Sequence, residues 1–192
     1  EVTASLACGL KEACAARVTS RGGTDITMSL EGRMCHEDAG TLYSAGSFGN
    51  LPAGETYISP VEGSSNGTIV IDGAVAGVDD LDAPITVAVK DGLIADISGG
   101  VAASRFLAML EDAGVVTAKN LAELGIGTNE KAGLSGNCLE VEKVLGTVHF
   151  GFGDNISMGG RVNAPIHVDA VVLRPTLVVD GRALVRDGTI LV

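Results

Sequence analysis

Apolar and polar positions alternate along much of this chain with the period of β-strands. Over residues 24–30, Thr24, Ile26, Met28 and Leu30 fall on one side and Asp25, Thr27 and Ser29 on the other, the pattern of a half-buried strand. Residues 16–20 form a partner strand across Arg21-Gly22-Gly23. Further strands are predicted over 67–75, 85–90 and 93–97, the last two joined by the hairpin dipeptide Asp91-Gly92. Apolar runs around His149 and His167 and a final pair over 176–192, turned at Asp180-Gly181, complete the set. Residues 120–127 form a short run that carries Glu123. Helical spacing appears over 101–113, closed by Gly114, and the Ala- and Leu-rich residues 1–15 read as a second helix. Residues 137–144 fit a short helix, while 32–54 read as a Gly-rich irregular stretch. The sum is a strand-rich α+β fold with few helices, read as a single metal-binding catalytic domain over 1–192.

Composition narrows the function. The chain has 192 residues, 46% of them hydrophobic, which is enough for one sizeable core. Its net charge of −11 disfavours nucleic acid and anionic membrane surfaces as partners. No apolar run approaches the roughly 20 residues that span a bilayer. No basic segment followed by an apolar stretch marks a signal peptide. Cys8, Cys14, Cys35 and Cys138 show no paired spacing, so reduced thiols and a cytoplasmic location are expected. Because the chain starts at Glu1, it is read as processed or cut from something longer.

The chemistry concentrates in few residues. His167-Val168-Asp169 places an imidazole and a carboxylate two positions apart on a strand, hence on one face. His149 sits in a similar run, and Glu55 and Glu123 carry charge into apolar or Gly-rich surroundings. Three carboxylates and two imidazoles are too hard a donor set for a closed structural zinc site. They suit one or two divalent ions with open positions for water and substrate. A carboxylate that merely orients a neighbouring imidazole is the competing use. Asp72, Asp91, Asp180 and Asp187 each precede Gly and read as turn residues. Glu140, Glu142 and Lys143 fit a helix surface, with Glu142 also a candidate to support the ligands, and His36 falls in a polar loop.

Several strings carry a resemblance. They are Gly23-Thr24-Asp25, Phe48-Gly49-Asn50-Leu51-Pro52-Ala53-Gly54-Glu55, Asn120-Leu121-Ala122-Glu123-Leu124-Gly125-Ile126-Gly127-Thr128-Asn129, Glu142-Lys143-Val144-Leu145-Gly146-Thr147-Val148-His149 and His167-Val168-Asp169. Together they resemble the aminopeptidase T family of metallopeptidases, from about residue 16 onward and over that family's C-terminal, metal-bearing half only. The resemblance implies a homodimeric aminopeptidase, a hydrolase that cleaves the N-terminal bond of a peptide with a metal-activated water. It implies two divalent ions of zinc or cobalt type on Glu55, Glu123, His149, His167 and Asp169. Glu62 or Glu142 would then accept the proton. The sequence departs from that family between His149 and His167, where the expected tyrosine is missing. The same fold family includes dihydroxypyridine dioxygenases. For these, Fe(II) on Glu123, His167 and Asp169, with a small hydroxy-aromatic substrate, is the alternative. A metal-binding fragment without activity is the third reading.

Overall fold

The computed structural model describes residues 1–47, 49–78 and 80–192; Phe48, part of one string above, lies outside them. Helix α1 (Val2–Leu10) precedes strands β1 (Ala15–Thr19), β2 (Asp25–Ser29), β3 (Cys35–Asp38), β4 (Glu55–Ile58) and β5 (Asn66–Ile71). A hairpin of β6 (Ile85–Lys90) and β7 (Leu93–Ser98) leads to helix α2 (Val101–Asp112). Then come β8 (Leu121–Gly127), the short helix α3 (Cys138–Val141), β9 (Val148–Gly153) and β10 (His167–Val172). Strands β11 (Thr176–Val179), β12 (Arg182–Arg186) and β13 (Thr189–Ile190) close the chain. Among the described residues, no helix is long and apolar enough to cross a membrane.

Two antiparallel sheets result. One has the order β13-β12-β11-β1-β2-β5-β6-β7 and the other β10-β9-β8-β4-β3. A single buried cluster draws Val18, Ile26, Ile69 and Val87 from the first and Leu124, Ile126, Phe150 and Phe152 from the second. The large apolar residues of each sheet therefore face the other sheet. Period-2 alternation then sends the intervening residues of β8, β9 and β10 to the opposite face. Helix α2 is fixed into this interior by Phe106, whose ring lies 5.8 Å from that of Phe152.

Most sequence expectations hold, and the departures have physical causes. Asp91, Asp180 and Asp187 have φ of 50°, 47° and 48° and precede glycines of positive φ, the geometry of tight hairpin turns. Asp72 does not turn a hairpin. Its carboxylate accepts from the Leu173 amide at 2.7 Å where the chain crosses between sheets. The strand expected over 67–75 accordingly ends at Ile71, and residues 73–76 run along β10 instead. There the Gly73 amide bonds to the Val171 carbonyl and the Ala76 amide to that of Asp169. The first helix stops at Leu10 rather than 15, because Ala15 and Ala16 pair in β1 with both β2 and β11. Sheet formation outweighs the helix preference of an Ala-rich run. The stretch 32–54 contains an edge strand, β3, that places His36 beside Tyr57 instead of in a loop.

Phe106 is fully buried. Phe106→Ala is expected to cost about 3–5 kcal/mol by loss of burial plus cavity formation. Urea denaturation read by far-UV circular dichroism checks this, and a loss below about 1 kcal/mol would mean that α2 is not held by this contact.

Candidate metal centre

Five strand positions build the site. Glu55 opens β4, Glu123 lies on β8, His149 on β9, and His167 and Asp169 on β10. In register, Glu123 stands beside Gly151, which stands beside Asp169; Gly125 stands beside His149, and His167 beside Gly153. The site face of β8 therefore reads Glu123, Gly125, Gly127, and that of β9 reads His149, Gly151, Gly153. All four glycines are required for space, and two of them make room for the imidazoles. A Cβ on Gly125 would lie 1.9 Å from Nε2 of His149, and one on Gly151 would lie 2.5 Å from Nε2 of His167. The imidazoles lie over the neighbouring strands only because nothing projects there.

Glu123 is the hub. Its Oε1 is 3.3 Å from Nε2 of His149, and its Oε2 is 3.1 Å from Nε2 of His167. His149 also approaches Oε2 of Glu55 at 3.2 Å, and His167 approaches Oδ1 of Asp169 at 3.3 Å. Two overlapping groups of donors result, Glu55–Glu123–His149 and Glu123–His167–Asp169, each with its ligand atoms within 4.8 Å of one another. All five residues expected as ligands are thus brought together.

Of the two expected proton acceptors, only Glu142 joins them. It lines the site cavity, of about 230 Å³, with its ligand-type neighbours and with Tyr57, Asp154 and Lys143. Glu62 does not line it. Arg33 pairs with Glu62 Oε2, while Oε1 accepts from the Asn155 side chain at 3.0 Å and the Arg161 amide at 2.8 Å. Burial would raise the Glu62 carboxyl, but these donors hold it below its ordinary value. Its work is to fix residues 155–161, from which Ser157 and Met158 reach the cavity wall.

Lys143, expected on a helix surface, is buried, with only 1% of its surface exposed. Its ammonium lies 2.7 Å from Oε1 of Glu55 and 2.6 Å from Oε1 of Glu142. The chain turns back after α3 to bring it there: the Asn129 amide bonds to the Lys143 carbonyl and the Leu145 amide to the Asn129 carbonyl. Tyr57 lines the cavity with its ring stacked 5.1 Å from that of His36. Burial and the charges of Glu123 and Glu55 raise its phenol above the ordinary value, so it stays protonated.

The electrostatics follow from crowding acids out of water. Burial opposes the Glu123 carboxylate, yet hydrogen bonds from His149 and His167 outweigh it and bring the group down to about 2. Burial likewise opposes charge on His167, but bonding to Asp169 and Glu123 pushes it up to about 11. Burial raises Glu142 to about 7, against the pull of His149 and Lys143. Protons on the imidazoles thus balance the acids, the place a metal ion takes when it binds neutral imidazole. The donors fit such an ion. Nδ1 of His167 bonds to the Asp154 carbonyl at 2.7 Å, which leaves Nε2 as the ligating nitrogen. Oδ1 of Asp169 and Oε2 of Glu55 are buried, each facing an imidazole Nε2, at 3.3 Å and 3.2 Å.

Residues 2–192 match the family model described as NicX, 2,5-dihydroxypyridine 5,6-dioxygenase. A 2,5-dihydroxypyridine 5,6-dioxygenase from Pseudomonas putida KT2440 is 25% identical over 198 residues, covering 94% of this chain and 55% of the relative. The solved 2,5-dihydroxypyridine dioxygenase from the same organism superposes with a TM-score of 0.90 at 22% identity, over 99% of this chain and 58% of that one. Wild-type AmpT from Thermus thermophilus superposes with a TM-score of 0.78 at 21% identity, over 99% of this chain and 52% of that one. The chain spans little more than half the length of these relatives. The likeness to AmpT is one of fold. The chain therefore belongs to the NicX, 2,5-dihydroxypyridine 5,6-dioxygenase, family, and this match overturns the expected hydrolase, aminopeptidase and protease assignment.

The sign of the pH dependence follows from these shifts. The stabilisation from His167 is full below its ordinary value of 6.5 and is lost as pH rises through about 11. That from Glu123 is full above 4.5 and lost as pH falls through about 2. The metal-free site therefore contributes most between those ordinary values. An added divalent ion must displace the imidazole protons, so its stabilising effect is expected to grow between about pH 6 and about pH 8.5. Thermal melts with and without Co²⁺ test this; a metal-induced shift that stays flat or shrinks would contradict it. Separately, Gly125→Ala is expected to displace His149, costing at least about 1–3 kcal/mol and weakening ion binding in the same titration.

Proposed function

Because the chain belongs to the NicX, dihydroxypyridine dioxygenase, family, we propose that its site is the metal centre of a ring-opening dioxygenase. The substrate class would be a small hydroxylated aromatic ring such as a dihydroxypyridine. The reading places ferrous iron on Glu123, His167 and Asp169. Nε2 of His149, 3.3 Å from the other side of Glu123, stands ready to complete a face of imidazole and carboxylate donors. The observation that carries the reading is the His167–Asp169 pair: one ring fixed by the Asp154 carbonyl, its Nε2 turned to the buried Oδ1 of Asp169 at 3.3 Å and to Glu123 at 3.1 Å. An iron ion there supplies open positions for dioxygen and a chelating hydroxyl group.

The remaining cavity residues divide the other tasks. Glu142, raised to about 7, is placed to take the proton of a ring hydroxyl as substrate binds. Lys143 keeps that carboxylate facing the cavity. The protonated Tyr57 offers a hydrogen-bond donor to a substrate oxygen, and its ring, backed by His36, is a flat wall for an aromatic plane. Peptide hydrolysis has no part in this scheme.

Anaerobic loading with Fe²⁺ followed by 2,5-dihydroxypyridine and oxygen is the direct test. Oxygen uptake matched to loss of the ring's ultraviolet absorbance is expected. His167→Ala or Asp169→Ala should weaken iron binding by at least about 100-fold, whereas Glu55→Gln should leave one iron bound. Iron that binds equally well to the His167→Ala and Asp169→Ala proteins would sink the assignment.

A further inference from the structure

Between β9 and β10 the chain makes one 3₁₀ turn, Ile156–Met158, from which Ser157 and Met158 line the metal cavity. A turn this short has no stability of its own, so other segments must hold it. Asn155, fully buried, donates its side-chain amide to Glu62 Oε1 and to the Ser59 hydroxyl, both at 3.0 Å. Its Oδ1 accepts from the Val162 amide at 2.8 Å. Glu62 Oε1 also accepts from the Arg161 amide at 2.8 Å, and Arg33 pairs with Oε2. The other arm of the Arg33 fork donates to the Gly159 carbonyl at 2.8 Å, just past the turn. This clasp is anchored to the first sheet: the Val61 amide bonds to the carbonyl of Ser29, the last residue of β2, at 2.9 Å. The ion's donors are held differently. His167 and Asp169 lie in the β9–β10 ladder, which the Asp154 amide extends by bonding to the Ile166 carbonyl at 2.9 Å. None of these ladder bonds passes through Arg33 or Glu62.

We propose that Arg33 and Glu62 are positioning residues for the ring substrate, holding Ser157 and Met158 as the wall the ring lies against while the sheet alone holds the ion. This deepens the dioxygenase reading and rests on it for the class of ligand, a hydroxylated aromatic ring. The cavity wall carries the inference. Among the described residues that line the cavity, Met158 is the one aliphatic side chain; the others are acids, imidazoles, amide, hydroxyl and ammonium groups and the Tyr57 ring. Met158 is only 6% exposed, so its place in the wall is fixed by packing as well as by the clasp. A soft thioether beside an aromatic ring suits the face of another aromatic ring and little else in so acidic a cavity. Ser157, exposed beside it, offers a hydroxyl to a ring substituent. Breaking the clasp should therefore loosen the surface that meets the ring and leave the ligands of the ion in place.

The test uses the whole chain loaded with Co²⁺ and titrated with 4-nitrocatechol, a hydroxylated ring whose visible spectrum reports its own binding. Co²⁺ affinity is measured separately by calorimetry on the same proteins. Arg33→Gln and Glu62→Ala are expected to weaken 4-nitrocatechol binding by about 10-fold or more, with Co²⁺ affinity within about 3-fold of the unaltered chain. Glu62→Gln keeps an acceptor for Asn155 and Arg161 and should recover most of the loss. Met158→Ala should also weaken the ring by about 10-fold and leave the ion unmoved. Ring and ion affinities that fall together in Arg33→Gln and Glu62→Ala would overturn the proposal, as would unchanged ring binding in either folded protein. If both fail to fold, Met158→Ala decides alone, and unchanged ring binding there overturns it. Ring binding that ignores the clasp leaves the dioxygenase reading standing, whereas a Co²⁺-loaded unaltered chain that takes up no 4-nitrocatechol would remove both.

Discussion

Five carboxylates share one small cavity, and the molecule is organised around the need to keep them there. Glu55, Glu123, Glu142, Asp154 and Asp169 all line it, and three of the five have less than 10% of their surface exposed. Buried charge is tolerated only when paired and hydrogen-bonded. The sheet meets that demand with positive charge delivered from three directions: His149 from β9, His167 from β10 and Lys143 from the turn after α3. The glycines at 125 and 151 follow from the same need, since any side chain would keep the imidazoles from Glu123. The core face of the same strands carries the opposite obligation. Leu124, Phe150, Phe152 and Ala170 are fully buried there and hold the sheet flat against its partner. One alternating pattern thus gives a hydrophobic wall and an acidic pocket back to back.

That duality explains what was legible in the sequence. The strings Glu123-Leu124-Gly125-Ile126-Gly127 and His149-Phe150-Gly151-Phe152-Gly153 show the two faces directly, with ligands and glycines on one and bulk on the other. A strand pattern of that kind predicts both the packing and the clustering of Glu123 with His149. His167 and Asp169 were readable for the same reason. Lys143 was not. Helical spacing puts it on a surface, and only the return of the chain against Asn129 carries it inward, a tertiary event with no local signature. Glu62 failed in the opposite direction. It was expected, with Glu142, as a proton acceptor of the peptidase reading, but Arg33, Asn155 and Arg161 consume both its oxygens.

The reaction was harder to read than the ligands, because ligand type does not by itself select the chemistry. The same acids and imidazoles serve hydrolysis when two ions share a water, and oxygenation when one ion keeps open positions. Fold similarity does not separate the two either, as superposition on both a dioxygenase and AmpT makes plain. The discriminating information lies in residues outside the common ligand set. The missing tyrosine after His149 was one such signal in the sequence. The flat face that Tyr57, stacked on His36, turns to the cavity is a feature of the wall and not of the ligand set.

The depth of the site then takes on meaning. Its outer half presents His167 and Asp169 to the cavity mouth, where a ligand can exchange water for substrate. Its inner half is closed by a largely buried ion pair between Lys143 and Glu55. A metal ion adds two positive charges wherever donors allow, whereas a lysine adds one and fixes its position through a covalent stem. Lys143 therefore offsets two of the cavity's carboxylates at once, Glu55 and Glu142, while the two imidazoles converge on Glu123. Burial still raises Glu142 to about 7 against that pull, which leaves it the acid of this cavity suited to exchanging a proton near neutral pH.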